Sequence, residues 1–466
     1  MKDLHVNLKE EKDKRIISLV GNDIMPKKYS ERTVTPFGLI VIWFAMAVSI
    51  TLFITAAELY DSLTVFEILV ACFIGHTLLF TVMWVTQDIG IKYGIPFCVS
   101  LRPAFGYIGA LIAAYFRAIP AIFWFGFQTF IAASAMNEIV KLAWNYENIV
   151  LWIILFGLLQ IAHTALGIEA ITRLSIVATP MLIIVGFYII YIAFVNYNID
   201  FNNIWSMKGE GGSFSMQYAI MSYLGGWATL SVSIMDITRD CVITADEAEN
   251  FGLVTKKYLP AQWIGIIPAV LFYTFIGVLG VITTGYSDPA KVLVEMNRGG
   301  SAFTSIILLV FIIVATWCTN DTANLFPPAY TLAGTFPKYI NFAKGVIIAG
   351  IIGLVIRPWR ATSIINVMVF IANLLAPVAG VLTVDYFFLR KRKIDLDDLY
   401  NIEGQYKYWN NINPAAFISV IVGSFITYNT GDISFFAGLV ASGVLYYLLM
   451  KFWILKVYPQ SDIIIK

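Results

Sequence analysis

The feature of this sequence that most constrains its fold is a succession of long apolar segments separated by short polar ones. A helix needs about 20 mainly apolar residues to cross the hydrocarbon core of a bilayer. The sequence therefore predicts an all-α integral membrane protein. Its twelve transmembrane helices are expected near residues 36–58, 66–86, 107–137, 149–168, 176–195, 218–238, 262–284, 302–326, 343–359, 364–388, 415–430 and 435–455.

Two of these segments have short apolar centres. Residues 345–356 and 415–427 carry fewer apolar residues than a full span needs. Stretches of that length also fit a buried or re-entrant piece of chain. For the segments near 343–359 and 415–430, both interpretations stay open.

The composition supports the membrane class and excludes others. Hydrophobic residues make up 59% of the chain and charged residues 13%, against roughly 25% charged in soluble proteins. The net charge of +1 leaves no excess of cations to neutralise phosphates, so nucleic acid is not an expected partner. The three histidines lack metal-ligand spacing and no hydrolase or P-loop motif is present, so no enzyme is expected. No tract fits the selectivity filter of a channel either.

Lysine and arginine residues indicate the orientation. Most of the 31 fall in the tail of residues 1–34, in the even-numbered loops, or in the run Arg390–Lys393. Positive charge collects in cytoplasmic loops. We therefore expect a multi-pass protein of the plasma membrane with both termini in the cytoplasm, and we expect the run at 390–393 to be a solvated anchor.

The first ten segments divide into two groups of five. An odd number of spans in the first group gives the second group the opposite orientation, as in the inverted repeats of secondary transporters, whose broken helices mark the binding site. Segment six contains Gly225 and Gly226 at mid-depth, which predicts a helix break or, alternatively, a close helix contact. Its counterpart, segment one, has neither Gly nor Pro at its centre, so a break there is only inferred.

Carboxamides occur at matching positions of the two halves. Trp124 and Gln128 lie four residues apart in segment three, and Asn320 and Asn324 lie four apart in segment eight. This spacing puts each pair on one helical face. Together with Trp227, they present rings for stacking and amides for hydrogen bonding, which suits a planar amide. The alternative is that the amides join neighbouring helices.

Other polar residues within the segments are isolated in the sequence. Hydrogen bonds between helices are expected for His76, Gln160 and His163. Arg117, inside segment three, either pairs with a carboxylate or extends toward the interface.

A set of sequence stretches between about residues 36 and 409 resembles the nucleobase:cation symporter-1 family, and especially its bacterial sodium–hydantoin branch. No single stretch is decisive, but they occur in the family's order. They are Trp43–Val48, Lys92–Phe97, Arg102–Gly106, Phe123–Gln128, Gly225–Trp227, Asn320–Asn324, Pro328–Tyr330, Phe336–Tyr339, Asp385–Phe387, Asp398–Tyr400 and Tyr408–Trp409.

The resemblance implies a leucine-transporter-like fold of ten core helices and a final hairpin. The domains are then a tail at 1–34, a transport core at 35–400 with repeats at about 35–197 and 214–390, and a hairpin with a short tail at 401–466. It also implies a ligand sandwiched between two tryptophans and held by a glutamine and an asparagine. These roles fall on Trp124, Trp227, Gln128 and Asn324, with Gly226 offering its backbone, Asn320 nearby, and Ser49 in place of a glutamine that faces the ligand.

The resemblance further implies a sodium site between segments one and eight. Its backbone carbonyls come from Ala45, Val48 and Ala315, and its side-chain positions are Cys318 and Thr319. Cys318 replaces a hydroxyl, and a thiol is a poor ligand for a hard cation. The site is therefore expected to be weakened, to recruit water, or to be replaced by proton coupling. Na⁺ or H⁺ is the coupling ion, and no other cofactor is expected.

The expected function is cation-coupled import, by alternating access, of a nucleobase or related planar ring amide such as uracil, cytosine, allantoin or a hydantoin. The alternatives are an amino-acid or amine carrier of the same fold and a membrane sensor that does not transport. The expected partners are a small-molecule substrate and the lipid bilayer, and the chain is expected to be a monomer.

Overall fold

The computed structural model describes residue 4 and residues 19–360, 375–431 and 434–463. Within these residues the secondary structure is helical, and the only β-type pairings are two isolated bridges. The all-α class is confirmed at this level. Half of the tail at 1–34, and residues 361–374 of predicted segment ten, lie outside the described residues.

Seven described helices are long and apolar enough to cross a membrane, or eight if one bent pair counts as a span. Three further apolar helices are shorter. We number the main helices in chain order: α1 Pro36–Ala47, α2 Ile50–Tyr60, α3 Val65–Tyr93, α4 Tyr107–Trp144, α5 Ile149–Thr164, α6 Ile168–Asn196, α7 Met216–Val232, α8 Phe251–Thr284, α9 Ala302–Thr319, α10 Phe326–Thr335, α11 Phe342–Val355, α12 Leu375–Leu389, α13 Pro414–Asn429 and α14 Ser434–Leu449.

The two segments with short apolar centres behave differently. The first forms α11, and the helical stretch Phe342–Arg360 passes the length and composition test for a span. The second forms α13, which is among the shorter apolar helices. It packs along α14.

Segment one is broken, whereas segment six is continuous through its glycine pair. α1 ends at Ala47 and α2 begins at Ile50, with a bend of about 49° between them. Ser49 bonds Thr51 side chain to side chain at 2.7 Å, and such local bonds compete with helical ones. Meanwhile α7 runs through Gly225 and Gly226 and ends at Val232. The predicted break at the glycines is wrong, because two glycines cost about 1 kcal/mol each, less than unpaired backbone groups in a bilayer.

Segment eight also departs from a regular helix. α9 passes at Asn320 into a π-helical stretch, Asn320–Leu325, and α10 follows directly. Pro327 and Pro328 lie in the first turn of α10. Proline has no backbone N–H to donate, and π-helical turns within longer helices are often found at functional sites.

α4 is the central helix of the molecule, because it contacts α5, α9, α10, α11 and the π-helical stretch. Close approach is possible because small residues lie at the crossings. A Cβ built on Gly126 would lie 2.1 Å from the Gly353 carbonyl oxygen of α11, and one on Gly75 of α3 would lie 2.6 Å from the Ile220 carbonyl oxygen of α7. Small residues at crossings are typical of helix packing in membranes.

The basic run at 390–393 is only partly solvated. Lys391 and Lys393 are exposed, but Arg390 is fully buried and bonds Asp385 at 2.7 Å and Asp462 at 2.5 Å. Arg392 reaches both carboxylate oxygens of Asp88, at 2.7 and 2.8 Å. The prediction of a solvated anchor is therefore wrong for the two arginines. Their forked guanidinium groups suit buried carboxylates better than a lysine does.

Replacing Arg390 with glutamine is expected to destabilise the protein strongly. Two buried carboxylates would lose their counter-charge, which typically costs about 3–5 kcal/mol. The measurement is the thermal unfolding midpoint of the purified protein in detergent. Lys391→Gln is the matched control, because Lys391 is exposed. Equal midpoints for the two variants would show that the buried network contributes little.

Candidate functional site

A small enclosed cavity lies where the break between α1 and α2 faces α4, α7 and the π-helical stretch. Its lining combines two tryptophans, two carboxamides and several hydroxyl groups. The lining residues are Ser49, Thr51, Trp124, Gln128, Gly226, Trp227, Thr229, Leu230, Thr319, Ala323 and Asn324. The structure thus brings together in one place all the residues predicted to contact the substrate, except Asn320.

The two tryptophans are fixed by other aromatic rings. Trp124 meets Phe123 and Phe127 edge to face, with ring centroids 5.7 and 5.8 Å apart. Trp227 meets Trp43 of α1 at 6.0 Å with the planes 67° apart. These are favourable aromatic geometries. Both tryptophans are buried, with 6% and 5% of their surface exposed. The cavity therefore has rigid aromatic walls on α4 and α7.

The two carboxamides that line the cavity differ in whether the protein already bonds them. Asn324 donates from Nδ2 to Asn320 Oδ1 at 2.7 Å, which fixes the orientation of its amide. Gln128 is buried, and none of the hydrogen bonds found among the described residues involves its side chain. A buried amide without a partner is costly. Gln128 is therefore the lining residue most available to a ligand.

Asn320 lies behind the cavity and not in its wall. Its Nδ2 donates to Phe125 O at 3.1 Å, to Thr129 Oγ1 at 3.2 Å and to Gln160 Oε1 at 2.8 Å. With Asn324 bonded to its oxygen, this amide is used entirely within the protein. The expected substrate contact therefore belongs to Asn324, and Asn320 supports it from behind. Helical spacing predicts both asparagines on one face, and the hydrogen bond between their side chains confirms this.

The cavity is small in this conformation. Its free volume is about 20 Å³, and one water needs about 10–15 Å³. The site is therefore closed around its own side chains. A ring compound enters only if the helices or the tryptophans move outward, as alternating access requires.

Three of the residues predicted to bind sodium, Val48, Ala315 and Thr319, lie at or next to this cavity. Thr319 donates from Oγ1 to Met46 O at 2.8 Å and to Ala315 O at 3.1 Å, which ties α9 to the last turn of α1. Val48 and Ala315 line a second small cavity next to Ser49. Oxygen donors from both helices are thus close together, as a hard cation requires.

Cys318 and Ala45 are buried on the same two helices, Cys318 on α9 and Ala45 on α1. No group of three or more His, Cys, Asp or Glu residues in the described part of the chain is arranged to hold a metal ion. The oxygen atoms found close together on these two helices are the Thr319 hydroxyl and the carbonyls of Met46 and Ala315.

The isolated polar residues also find partners. His163 of α5 bonds Asp321 through Nδ1 at 2.5 Å, which joins α5 to the π-helical stretch. His76 bonds the Cys72 carbonyl one turn earlier in its own helix, at 2.8 Å. The expected bond between helices is confirmed for His163 and Gln160, whereas the bond found for His76 lies within α3. Sequence reasoning assigned no role to Asp321, although a carboxylate at membrane depth is itself a signal.

Four lining residues were not predicted: Thr51, Thr229, Leu230 and Ala323. Thr51 follows the break after α1, and Thr229 lies two residues beyond Trp227. A hydroxyl next to a predicted site residue was the available signal. Ala323 carries no side-chain signal.

Comparisons with known proteins place the chain in a family. Residues 26–454 match the family described as permeases for cytosine/purines, uracil, thiamine and allantoin. The chain is 36% identical to a hydantoin permease from Microbacterium maritypicum over 95% of this chain and 91% of that one. It is 29% identical to an allantoin permease from Bacillus subtilis, over 96% and 95% of the two chains.

A solved structure shares the fold. It is that of Mhp1, a nucleobase-cation-symport-1 family transporter, in a closed conformation with bromovinylhydantoin bound. The TM-score is 0.90 at 36% identity, with 95% of this chain and 97% of that chain covered. The expectation of a multi-pass membrane transporter and not an enzyme is confirmed by these relatives. The chain belongs to the nucleobase:cation symporter-1 family, the permeases for cytosine, purines, uracil, thiamine and allantoin.

Proposed function

We propose that this protein imports a nucleobase or related planar ring amide of the uracil, cytosine, allantoin or hydantoin type by cation-coupled alternating access. One observation carries the proposal: Gln128 presents an amide without a protein partner into a cavity walled by Trp124 and Trp227. Such an amide matches the N–H and C=O edge of a ring amide, and the indoles match its flat faces.

Each lining residue has a role in this proposal. Trp124 and Trp227 stack on the two faces of the ring, while Gln128 and Asn324 bond its edge. Gly226 offers backbone contact from α7, where a side chain would otherwise fill the narrow cavity. Ser49 lies at the break after α1 and faces the same cavity, so its small hydroxyl leaves room that a larger polar residue would occupy.

The proposed architecture is twelve transmembrane helices in a monomer of the plasma membrane, with both termini cytoplasmic. Inverted repeats at about 35–197 and 214–390 form the core between the 1–34 tail and the hairpin and tail at 401–466. Support comes from the break in α1–α2, the irregular stretch in segment eight, and the packing of α13 on α14.

Sodium is the proposed coupling ion, held by the carbonyls of Ala45, Val48 and Ala315 and by the Thr319 hydroxyl, with proton coupling as the alternative. The chemistry of Cys318 provides the test. We expect Cys318→Ser to lower the sodium concentration for half-maximal uptake by about fivefold, ~1 kcal/mol, because a hydroxyl is a harder donor than a thiol. Cys72→Ser is the matched control, because Cys72 is buried in α3. An unchanged sodium response in Cys318→Ser would argue against this site.

Equilibrium binding to the purified protein tests the substrate class. The panel is uracil, cytosine, allantoin, hydantoin and thiamine, with phenylalanine as a flat compound without a ring amide. Binding of at least one ring amide, with none of phenylalanine, is the expected result. Binding of the amino acid alone would move the protein to a different class of carrier on the same fold.

A further inference from the structure

A buried arginine lies directly beside the candidate site. Arg117, on α4, is two helical turns before Trp124 and has 1% of its surface exposed. Its Nη2 donates to Ala323 O at 2.7 Å, and its Nε donates to Ser233 Oγ at 2.9 Å. One side chain thus connects α4 with the π-helical stretch and with the chain just beyond α7.

The Ala323 carbonyl depends on an outside donor. A carbonyl in an α-helix accepts from the N–H four residues later, and one in a π-helix accepts from the N–H five residues later. For Ala323 these positions are Pro327 and Pro328, and neither has an N–H. An unpaired carbonyl at this depth is expensive. The Arg117 guanidinium satisfies it, and thereby holds the backbone next to Asn324.

The hydrogen bond from Arg117 to Ser233 lies at a second interruption of a helix. Ser233 lies between the end of α7 at Val232 and the short helix Met235–Thr238. Its hydroxyl donates to Thr229 O at 3.3 Å. Thr229 and Ala323 both line the cavity, so Arg117 holds the chain on one side of the cavity. In the proposed orientation this is the cytoplasmic side, because α4 begins there.

Two opposite charges on this side each lack one partner. Arg117 Nη1 and Asp236 Oδ2 are buried without a hydrogen bond to any described residue. The other oxygen of Asp236 accepts from Phe97 N at 2.8 Å. Arg117 and Asp236 attract each other electrostatically, but the ion pairs between described residues do not include a direct contact between them. An unpaired buried charge is strongly unfavourable, so a second arrangement that pairs them would offset the loss of the present bonds.

We propose that Arg117 is a positioning residue that closes the cytoplasmic side of the cavity through Ala323 and Ser233, and that its guanidinium transfers to Asp236 when this side opens. The inference rests on the proposed function only for the direction of transport. Both end states keep the guanidinium bonded, so the transfer is a two-state change of the kind that allows gating. It needs no titration of either group.

A native cysteine reports the opening. Cys98 is buried beside Phe97, the residue that bonds Asp236, and its thiol lies 3.3 Å from Tyr330 O. Cys72 is buried in α3 against Thr274 of α8 and serves as the internal control. Alkylation by N-ethylmaleimide is followed at each cysteine by peptide mass spectrometry. For Arg117→Gln, we expect Cys98 to react at least fivefold faster than in the unmodified protein, while Cys72 keeps its rate.

Asp236→Asn tests the second end state. In this variant the closed state keeps the bonds of Arg117 to Ala323 and Ser233, so the affinity for the ring amide is expected to stay within twofold of the unmodified protein. The open state loses its charged partner for Arg117, so the uptake rate is expected to fall at least tenfold. Equal acceleration of Cys98 and Cys72 in Arg117→Gln would mean general loosening and would overturn the proposal, as would no change at Cys98. Equal losses of affinity and rate in Asp236→Asn would also overturn it. The alkylation result needs no substrate, so it stands or falls separately from the substrate class.

Discussion

Replacing Gln128 with alanine is expected to raise the dissociation constant for the ring-amide substrate by about 5- to 150-fold, equivalent to ~1–3 kcal/mol. The reason is that the substrate edge would be buried without its hydrogen-bond partner. No described residue uses the Gln128 amide in the closed cavity, so the loss falls on binding and not on folding. Equilibrium binding to the purified variant measures it.

Gln217→Ala is the matched control for this variant. Gln217 is an exposed amide in the first turn of α7, the helix that carries Trp227. Its affinity for the ring amide is expected to equal that of the unmodified protein. Undiminished affinity in Gln128→Ala would remove this residue from the site, and with it the observation on which the substrate class rests.

The second large effect concerns the aromatic walls. Trp227→Ala and Trp124→Ala are each expected to weaken binding by ~1–3 kcal/mol, the usual contribution of stacking a planar base on an aromatic side chain. Replacement with phenylalanine is expected to retain most of the affinity, because an aromatic face remains. Comparing the alanine and phenylalanine variants in the same binding titration distinguishes a loss of stacking from a change in the shape of the cavity.

Trp84→Ala is the control for the aromatic series. Trp84 is partly exposed, and its indole contacts Phe251 and bonds Thr255 outside the cavity. Similar losses in the alanine and phenylalanine variants of Trp124 and Trp227 would contradict stacking. They would indicate that the indoles shape the cavity without contacting the ring face.

The faces of the central helices could be predicted from the sequence because spacing of four residues fixes them in a regular helix. Trp124 and Gln128 do share a face, and both line the cavity. Asn320 and Asn324 also share a face, since their side chains bond each other. Spacing alone does not show that the Asn320 amide is bonded to α4 and α5 instead of lining the cavity. The π-helical stretch was not predicted either, although the Pro327–Pro328 pair, which removes two successive donors from that turn, was an available signal.

The helix breaks illustrate a different limit. A glycine pair in a membrane-spanning segment predicts a break, yet α7 continues through Gly226, and the bend occurs at Ser49, where no glycine or proline lies. Inside a bilayer the backbone must keep its hydrogen bonds, so a break forms only where tertiary contacts supply replacements. At the break after α1, Ser49 and Thr51 supply a local bond, and Thr319 of α9 bonds the Met46 carbonyl. The second of these contacts comes from a distant helix, which local sequence does not show.

The buried charges could not be assigned from one sequence for a related reason. In the sequence Arg390 belongs to a basic run, but one of its two carboxylate partners, Asp462, lies 72 residues later. Arg117 is isolated within an apolar segment of the sequence. The structure shows that its partners are the Ala323 carbonyl and Ser233. Side chains of high cost at membrane depth signal that partners exist, but only the fold identifies them.

The most direct test of the account is uptake of a labelled ring amide into proteoliposomes under an imposed sodium or proton gradient. Uracil, cytosine, allantoin and hydantoin are compared, with the Gln128→Ala protein reconstituted alongside. Cation-coupled transport predicts that at least one labelled compound accumulates in the proteoliposomes under one of the two gradients. The Gln128→Ala substitution is expected to reduce this accumulation at least fivefold. Binding of a ring amide without accumulation under either gradient would contradict cation-coupled transport, and would describe a membrane sensor instead of a transporter.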